Sequence, residues 1–194
     1  MDLTVFIEPE LNLERLAEVL DGMGHEGRVH CTRGWSKATQ AKLYEAVKGH
    51  KPLSIADMVP AGTAPLTEVI HDLKNSLPLF SVAQKRFCRL DDDDKQLCGY
   101  NEGSTRGLVG PGFFTARDSE TNPGEILIDY KSLPKAKAHG WPDIRSNDSG
   151  LSALVYGNMV DTMRRISEHV TIGRAAKNGA DMDAWFVLVR KDPA

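Results

Sequence analysis

Asn178-Gly179 constrains this chain more than any other dipeptide in it. It stands between Glu168–Lys177 and Ala180–Arg190, two runs rich in Val, Ile, Thr, Trp and Phe. Asn-Gly accepts the two consecutive positive-φ positions of a tight hairpin turn, so the spacing predicts two antiparallel strands joined there. A two-residue loop pairs Val170 with Val187 and Ile172 with Trp185 on one face. The other face then carries His169, Thr171, Phe186 and Leu188. Such a pair, buried on both sides with its polar groups on one, suits a sheet with helices outside and a cavity inside. A bulge at Asp181–Asp183 would shift this register and exchange the faces.

The chain has 194 residues, of which 41% are hydrophobic and 26% charged, values that fit a globular domain rather than a disordered or fibrous one. A net charge of -3 argues against a nucleic-acid surface. No apolar run reaches the roughly 18 residues of a membrane span, and the acids of Met1–Glu10 do not suit a signal peptide, so a cytoplasmic protein is expected. Cys31, Cys88 and Cys98 are too few for a disulfide framework. If Asp92–Asp94 form a loop, Cys88 and Cys98 face each other within disulfide reach, and two reduced thiols are expected there. No Cys and His stand at zinc-ligand spacing, so no metal is expected.

Residues 1–80 read as a helical region and residues 81–194 as an antiparallel β region with one inserted helix, the two forming one unit. Asn12 is a cap candidate for a helix with Leu13, Leu16, Ala17 and Leu20 on one face. Ser36 opens a second helix, and Ser54-Ile-Ala-Asp57 has capping-box spacing. Gly27–Thr32 reads as a short extended piece, and Pro65-Leu66-Thr67 as the start of a helix carrying Leu66, Val69, Ile70 and Leu73. Beyond Pro78 the period becomes two: Ser81–Leu90, Gln96–Tyr100, Phe113–Arg117 and Glu125–Tyr130 read as strands. Leu151 to Ile166 has helical spacing, with a strand over Val155–Met159 as the alternative that Gly157 invites.

Candidate chemistry centres on the final hairpin. Tyr130, His169, Thr171 and Phe186 would line a cavity, and Arg106 or Arg174 would meet an acidic group on a ligand. His169 with Asp129 or Asp161 forms an acid/base set if the fold assembles it. The basic residues Lys85, Arg86, Arg89, Arg106, Arg164, Arg165 and Arg174 read as a solvated face paired with nearby acids, the alternative being that several converge on a carboxylate or phosphate. Arg106-Gly-Leu-Val-Gly-Pro-Gly112 fails as a phosphate loop, because Pro111 removes an amide donor and a strand follows. There is no G-x-S-x-G or H-E-x-x-H motif, and no motif names a cofactor.

The segments Lys74–Phe80, Gln84–Arg89, Gly110–Phe114, Gly124–Tyr130 and His169–Arg174 together resemble a family of uncharacterised bacterial proteins, from about Leu66 onward. That resemblance implies no catalytic residue. Met163–Gly173 followed by Trp185–Arg190 is similar to the closing strands of lipocalin-like proteins, which implies a barrel around an apolar cavity. The expectation is therefore an α+β protein, a helical N-terminal third packed on a curved or barrel-like antiparallel sheet. Its expected role is to bind a small apolar or amphipathic molecule, an acidic one included, with no nucleic acid and no membrane as partner. A hydrolase or lyase working through His169, or a protein-interaction module docking by its helical third, are the alternatives; the oligomeric state stays open.

Overall fold

Eight antiparallel strands, each hydrogen-bonded to the next and the last to the first, close into a barrel within residues 3–192, which the computed structural model describes. They are β1 (Val69–Asn75), β2 (Val82–Arg89), β3 (Leu97–Glu102), β4 (Phe114–Asp118), β5 (Ile126–Asp129), β6 (Val160–Arg165), β7 (Val170–Lys177) and β8 (Ala180–Arg190). Helices α1 (Leu13–Asp21), α2 (His25–Arg33), α3 (Lys37–Ala46) and α4 (Ile55–Met58) precede them; α5 (Arg106–Val109) and α6 (Gly150–Tyr156) lie between strands. The α+β expectation therefore stands, with the sheet fully closed. Its architecture is compatible with a lipocalin-like barrel.

Local chemistry sets the helix starts. The Asn12 side chain accepts the Arg15 N–H at 3.0 Å, and Ser36 accepts that of Thr39 at 3.1 Å. Ser54 and Asp57 form the reciprocal capping box. Leu16 and Leu20 of α1 and Leu43 of α3 then pack on Val170, Ile172, Val187 and Val189, the outer face of β7 and β8. The loop following β5 covers a different outer face, where Ala138 and Trp141 lie over Cys88, Cys98, Tyr100 and Phe113. Cys88 and Cys98 are direct cross-strand partners and stand as buried free thiols 2.8 Å apart.

Three expectations are corrected. Gly27–Thr32 is not extended; it lies in α2, whose buried positions include Arg28 and Thr32. Polar residues on the packed side hide a helical period from any apolar pattern. Arg28 is matched there by the Met23 carbonyl and the Asp192 carboxylate. Leu66–Leu73 is not a helix either. Leu66 turns the chain at φ 54°, and the first barrel strand begins at Val69, ahead of the expected helix-to-sheet boundary. Val69, Ile70 and Leu73 fit both periods, and hydrogen bonding to β2 on one side and β8 on the other decides for the strand. Leu151 to Ile166 is half helix and half strand. An added Cβ on Gly157 would lie 2.4 Å from the Ala153 carbonyl oxygen, and past that glycine the chain continues into β6.

The final hairpin turns at Asn178 (φ 54°) and Gly179 (φ 77°) as expected. Its register differs. Lys177 faces Ala180 and Ala176 faces Asp181, but Arg174 faces Trp185 and Thr171 faces Leu188. Four steps along β8 thus answer two along β7, so a bulge falls around Met182–Ala184 and the pairs slip by two residues. An even slip preserves side-chain parity, so the faces are kept rather than exchanged. Val170, Ile172, Trp185 and Val187 meet the helices, while Phe186 and Leu188 point into the barrel.

The inward faces of the strands carry two interior glycines where neighbouring rings cross. A Cβ on Gly99 would meet the Phe114 ring at 2.4 Å and the Arg86 carbonyl at 2.5 Å; one on Gly173 would meet the Phe186 ring at 2.4 Å. Gly99→Ala is expected to cost about 1–3 kcal/mol, the range for overpacking a filled core, read as a lowered urea midpoint with unchanged m-value. An unchanged midpoint would show that Phe114 does not lie across Gly99.

Candidate functional site

One half of the barrel is solid. The chain around α4 enters that end and buries Leu53, Ile55, Met58 and Val59 against Phe87, Leu97, Ala116, Ile126 and Leu188. His71 closes the same region. Its Nε2 donates to the Met58 carbonyl at 2.9 Å, and its ring meets Phe87 edge-on at 4.8 Å. Burial lowers its pKa from the ordinary 6.5 to about 3, outweighing the carbonyl, so the imidazole is neutral.

The other half is hollow. A cavity of about 510 Å³ runs from this core to the barrel mouth, within the ~300–1,000 Å³ typical of small-molecule sites. Leu73, Ala83, Met159, Ala175, Ala184 and Phe186 wall it, and α5, α6 and the turn at Pro78–Phe80 roof it. Leu108, Leu151 and Leu154 sit at the rim and are 71%, 46% and 74% exposed. Tyr156 stacks on Tyr130 with centroids 5.3 Å apart, over Gly112, where φ is 53° and a Cβ would strike the tyrosine ring. A wider hollow near α1, lined by Glu10, Glu14, Arg15 and His50, is an open surface groove.

At the inner end of the cavity the apolar wall gives way to four polar side chains. Lys85 Nζ donates to Asn101 Oδ1 at 3.0 Å and to the Tyr130 hydroxyl, and stands 3.6 Å from Asp161 Oδ2. Two of its N–H bonds are thus donated to neutral acceptors, and Asp161 stands beside it as an ion-pair partner. The rings of Phe114, Tyr130 and Phe186 surround Nζ with centroids 5.1, 4.9 and 4.9 Å away, and their π faces favour the cation. Asn101 is fixed in turn by the hydrogen bond its side-chain N–H donates to the Gly112 carbonyl at 3.0 Å.

Lys85 and Asp161 are each 3% exposed, so both charges are drawn toward neutrality. Burial lowers the Lys85 pKa, with Asp161 opposing; burial raises that of Asp161 to about 6, with Lys85 opposing. Burial also lifts the Tyr130 phenol well above its ordinary value. Asp161 Oδ1 is buried and has no hydrogen-bond partner. An unsatisfied buried carboxylate oxygen costs about 1–3 kcal/mol, and more if charged. The cluster as it stands therefore lacks one donor.

The expected site residues divide between this cavity and other places. Tyr130, Phe186, Arg106 and Asp161 line the cavity, Arg106 at its mouth and paired with Glu102 at 2.9 Å. Thr171 faces the interior as the partner of Leu188, beyond the cavity's lining. Arg174 lies outside, paired with Asp181 at 2.9 Å and stacked over Trp185. His169 lies in the turn before β7, beside Asp192 at 3.3 Å, and Asp129 accepts the Lys131 N–H at 2.8 Å. The set of His169 with Asp129 or Asp161 is thus not assembled, because Asp161 pairs with Lys85 inside the barrel.

Lys85, Asn101 and Tyr156 stand outside the ligand contacts that the sequence predicts, which sets Lys85 on a solvated face. A usable signal existed: Lys85 shares its parity with Ala83 and Phe87, and Asp161 shares its parity with Met159 and Met163. A charged residue in phase with apolar ones on a two-faced strand points inward.

Comparison with family models, curated proteins and solved structures finds no match for this chain. Among the described residues, no group of three or more His, Cys, Asp or Glu side chains could hold a metal ion. No helix among them is long and apolar enough to cross a membrane.

Proposed function

We propose that this protein binds a small amphipathic molecule, its apolar part in the barrel cavity and its polar end on Lys85, Asp161, Tyr130 and Asn101. The carrying observation is that an apolar hollow of about 510 Å³ is lined at one end by a buried polar cluster, Lys85, Asp161, Tyr130 and Asn101. Phe186 and Tyr156 supply the walls, Arg106 the mouth, and the exposed leucines of α5 and α6 an apolar threshold for entry.

An acidic head group fits the inner end poorly. Asp161 already balances Lys85, and a second carboxylate would share one ammonium in a site of low polarity. The polar end is therefore uncharged. In displacement of the fluorophore 1-aminoanthracene, decanol is expected to compete at least about tenfold better than decanoate or decylamine, the cost of burying one unmatched charge. Absence of any saturable fluorophore signal would remove the reading.

Ala83 lines the cavity on β2. Ala83→Trp is expected to abolish this binding while changing stability by no more than about 1–2 kcal/mol, since the added ring enters open space instead of packed core. Undiminished binding in this variant would place the ligand elsewhere.

The helical third offers little for a docking role. Among the described residues, Val5 is its one large hydrophobic side chain that is mostly exposed.

A further inference from the structure

We infer that Lys85 is an imine-forming amine, and that the ligand class of the cavity is an apolar aldehyde or ketone captured covalently and reversibly. This rests on the binding reading above and narrows it to one functional group. Three observations on the inner cluster carry it.

First, the amine stands at the inner end of an apolar cavity, reachable only by a molecule lying along that cavity. Bound there, a terminal carbonyl is held against Nζ at high effective concentration. Secondly, Asp161 has one oxygen, Oδ2, 3.6 Å from Nζ and the other, Oδ1, without a partner. A carboxyl so placed takes the ammonium proton and hands it to the substrate oxygen that forms beside Nζ. Thirdly, three aromatic rings around Nζ match a cationic nitrogen, which an iminium ion keeps and a neutral amide adduct would lose. Burial, which lowers the Lys85 pKa and raises that of Asp161, adds to the population of free amine and carboxylic acid.

The step balances without an added reagent. The ammonium passes one proton to Asp161, leaving amine and acid. The amine lone pair forms the N–C bond, the C=O π pair moves to oxygen, and that oxygen is protonated by Asp161 as nitrogen loses a proton back to it. The resulting carbinolamine hydroxyl accepts a hydrogen bond from the Asp161 acid. A second proton from Asp161 then releases that hydroxyl as water while the nitrogen lone pair forms C=N. The products are an iminium on Lys85, an Asp161 carboxylate beside it as counter-ion, and one water. Tyr130 and Asn101 hold the nitrogen in place before the attack through the contacts they already make, and the single N–H of the iminium keeps one of them.

Decanal, with sodium borohydride to fix any imine as a secondary amine, tests this on the intact protein by mass spectrometry and peptide mapping. One adduct per chain is expected, on Lys85, at least about tenfold above any other lysine, because the others lack the enclosing cavity. The double variant Lys85→Met/Asp161→Leu, which removes both buried charges together, is expected to fold and to give no such adduct. If decanol displaces 1-aminoanthracene but decanal leaves no adduct on Lys85, or only scattered ones, the imine is overturned and the binding reading survives. If neither compound displaces the fluorophore, both fall.

Discussion

Lys85→Met is expected to lower stability at pH 8 by about 3–5 kcal/mol, the cost of leaving one charge of a buried pair without its partner. The reason is local. Asp161 is 3% exposed, its Oδ1 has no donor, and Lys85 is its one cationic neighbour among the described ion pairs. Without that ammonium the carboxylate has to take up a proton in order to stay buried. Acidification from pH 8 to pH 5 is therefore expected to restore much of the loss. Replacing both members together, as Lys85→Met/Asp161→Leu, is expected to give stability equal to or above that of the parent, because a desolvated pair is rarely better than apolar packing. Urea unfolding of the parent, both single variants and the double variant gives the coupling energy. Additive single effects would mean that the two groups are independent, and the description of the inner cluster would then be wrong.

A pair of opposed pH slopes is the second large effect. His71 falls from 6.5 to about 3 on folding, so its contribution to stability is complete above pH 6.5 and is lost as pH falls toward 3. Asp161 rises from 3.8 to about 6, so its contribution is complete below pH 3.8 and is lost as pH rises through 6. Between pH 6 and pH 4 each is worth about 3 kcal/mol, with opposite sign. In the parent they mask one another. His71→Gln is expected to become more stable on acidification across that window, relative to the parent, by about 3 kcal/mol. Asp161→Asn is expected to become less stable by a similar amount. Denaturant midpoints at pH 4 and pH 6 decide this, and parallel behaviour of all three proteins would refute it.

The parts of the fold legible in the sequence are those written in local chemistry. Asn178-Gly179, the Asn12 and Ser36 caps and the Ser54–Asp57 box each act within a few residues, and each stands where its residues place it. The Cys88–Cys98 register was legible for the same reason, since the short Asp92–Asp94 turn sets it. What could not be read was settled by distant pairing. Val69–Asn75 is a strand because residues more than a hundred positions later supply its other neighbour. Arg28 sits on the buried side of α2 because Asp192 comes to meet it. The site hid in the same way: Lys85 lies within a basic run, and its meaning depends on Asp161, seventy-six positions along the chain. Parity alone placed both indoors, and an apolar count discards exactly such residues.

The ladder that shuts the barrel joins residues 71–75 to residues 186–190. During synthesis, seven strands can pair with their chain neighbours while the first remains an open edge, since its second neighbour has not yet left the ribosome. Until residue 190 emerges, the nascent sheet offers β1 to any extended segment nearby, a known route to mispairing. Closing the barrel is therefore the pairing with the longest reach in sequence, and it comes last.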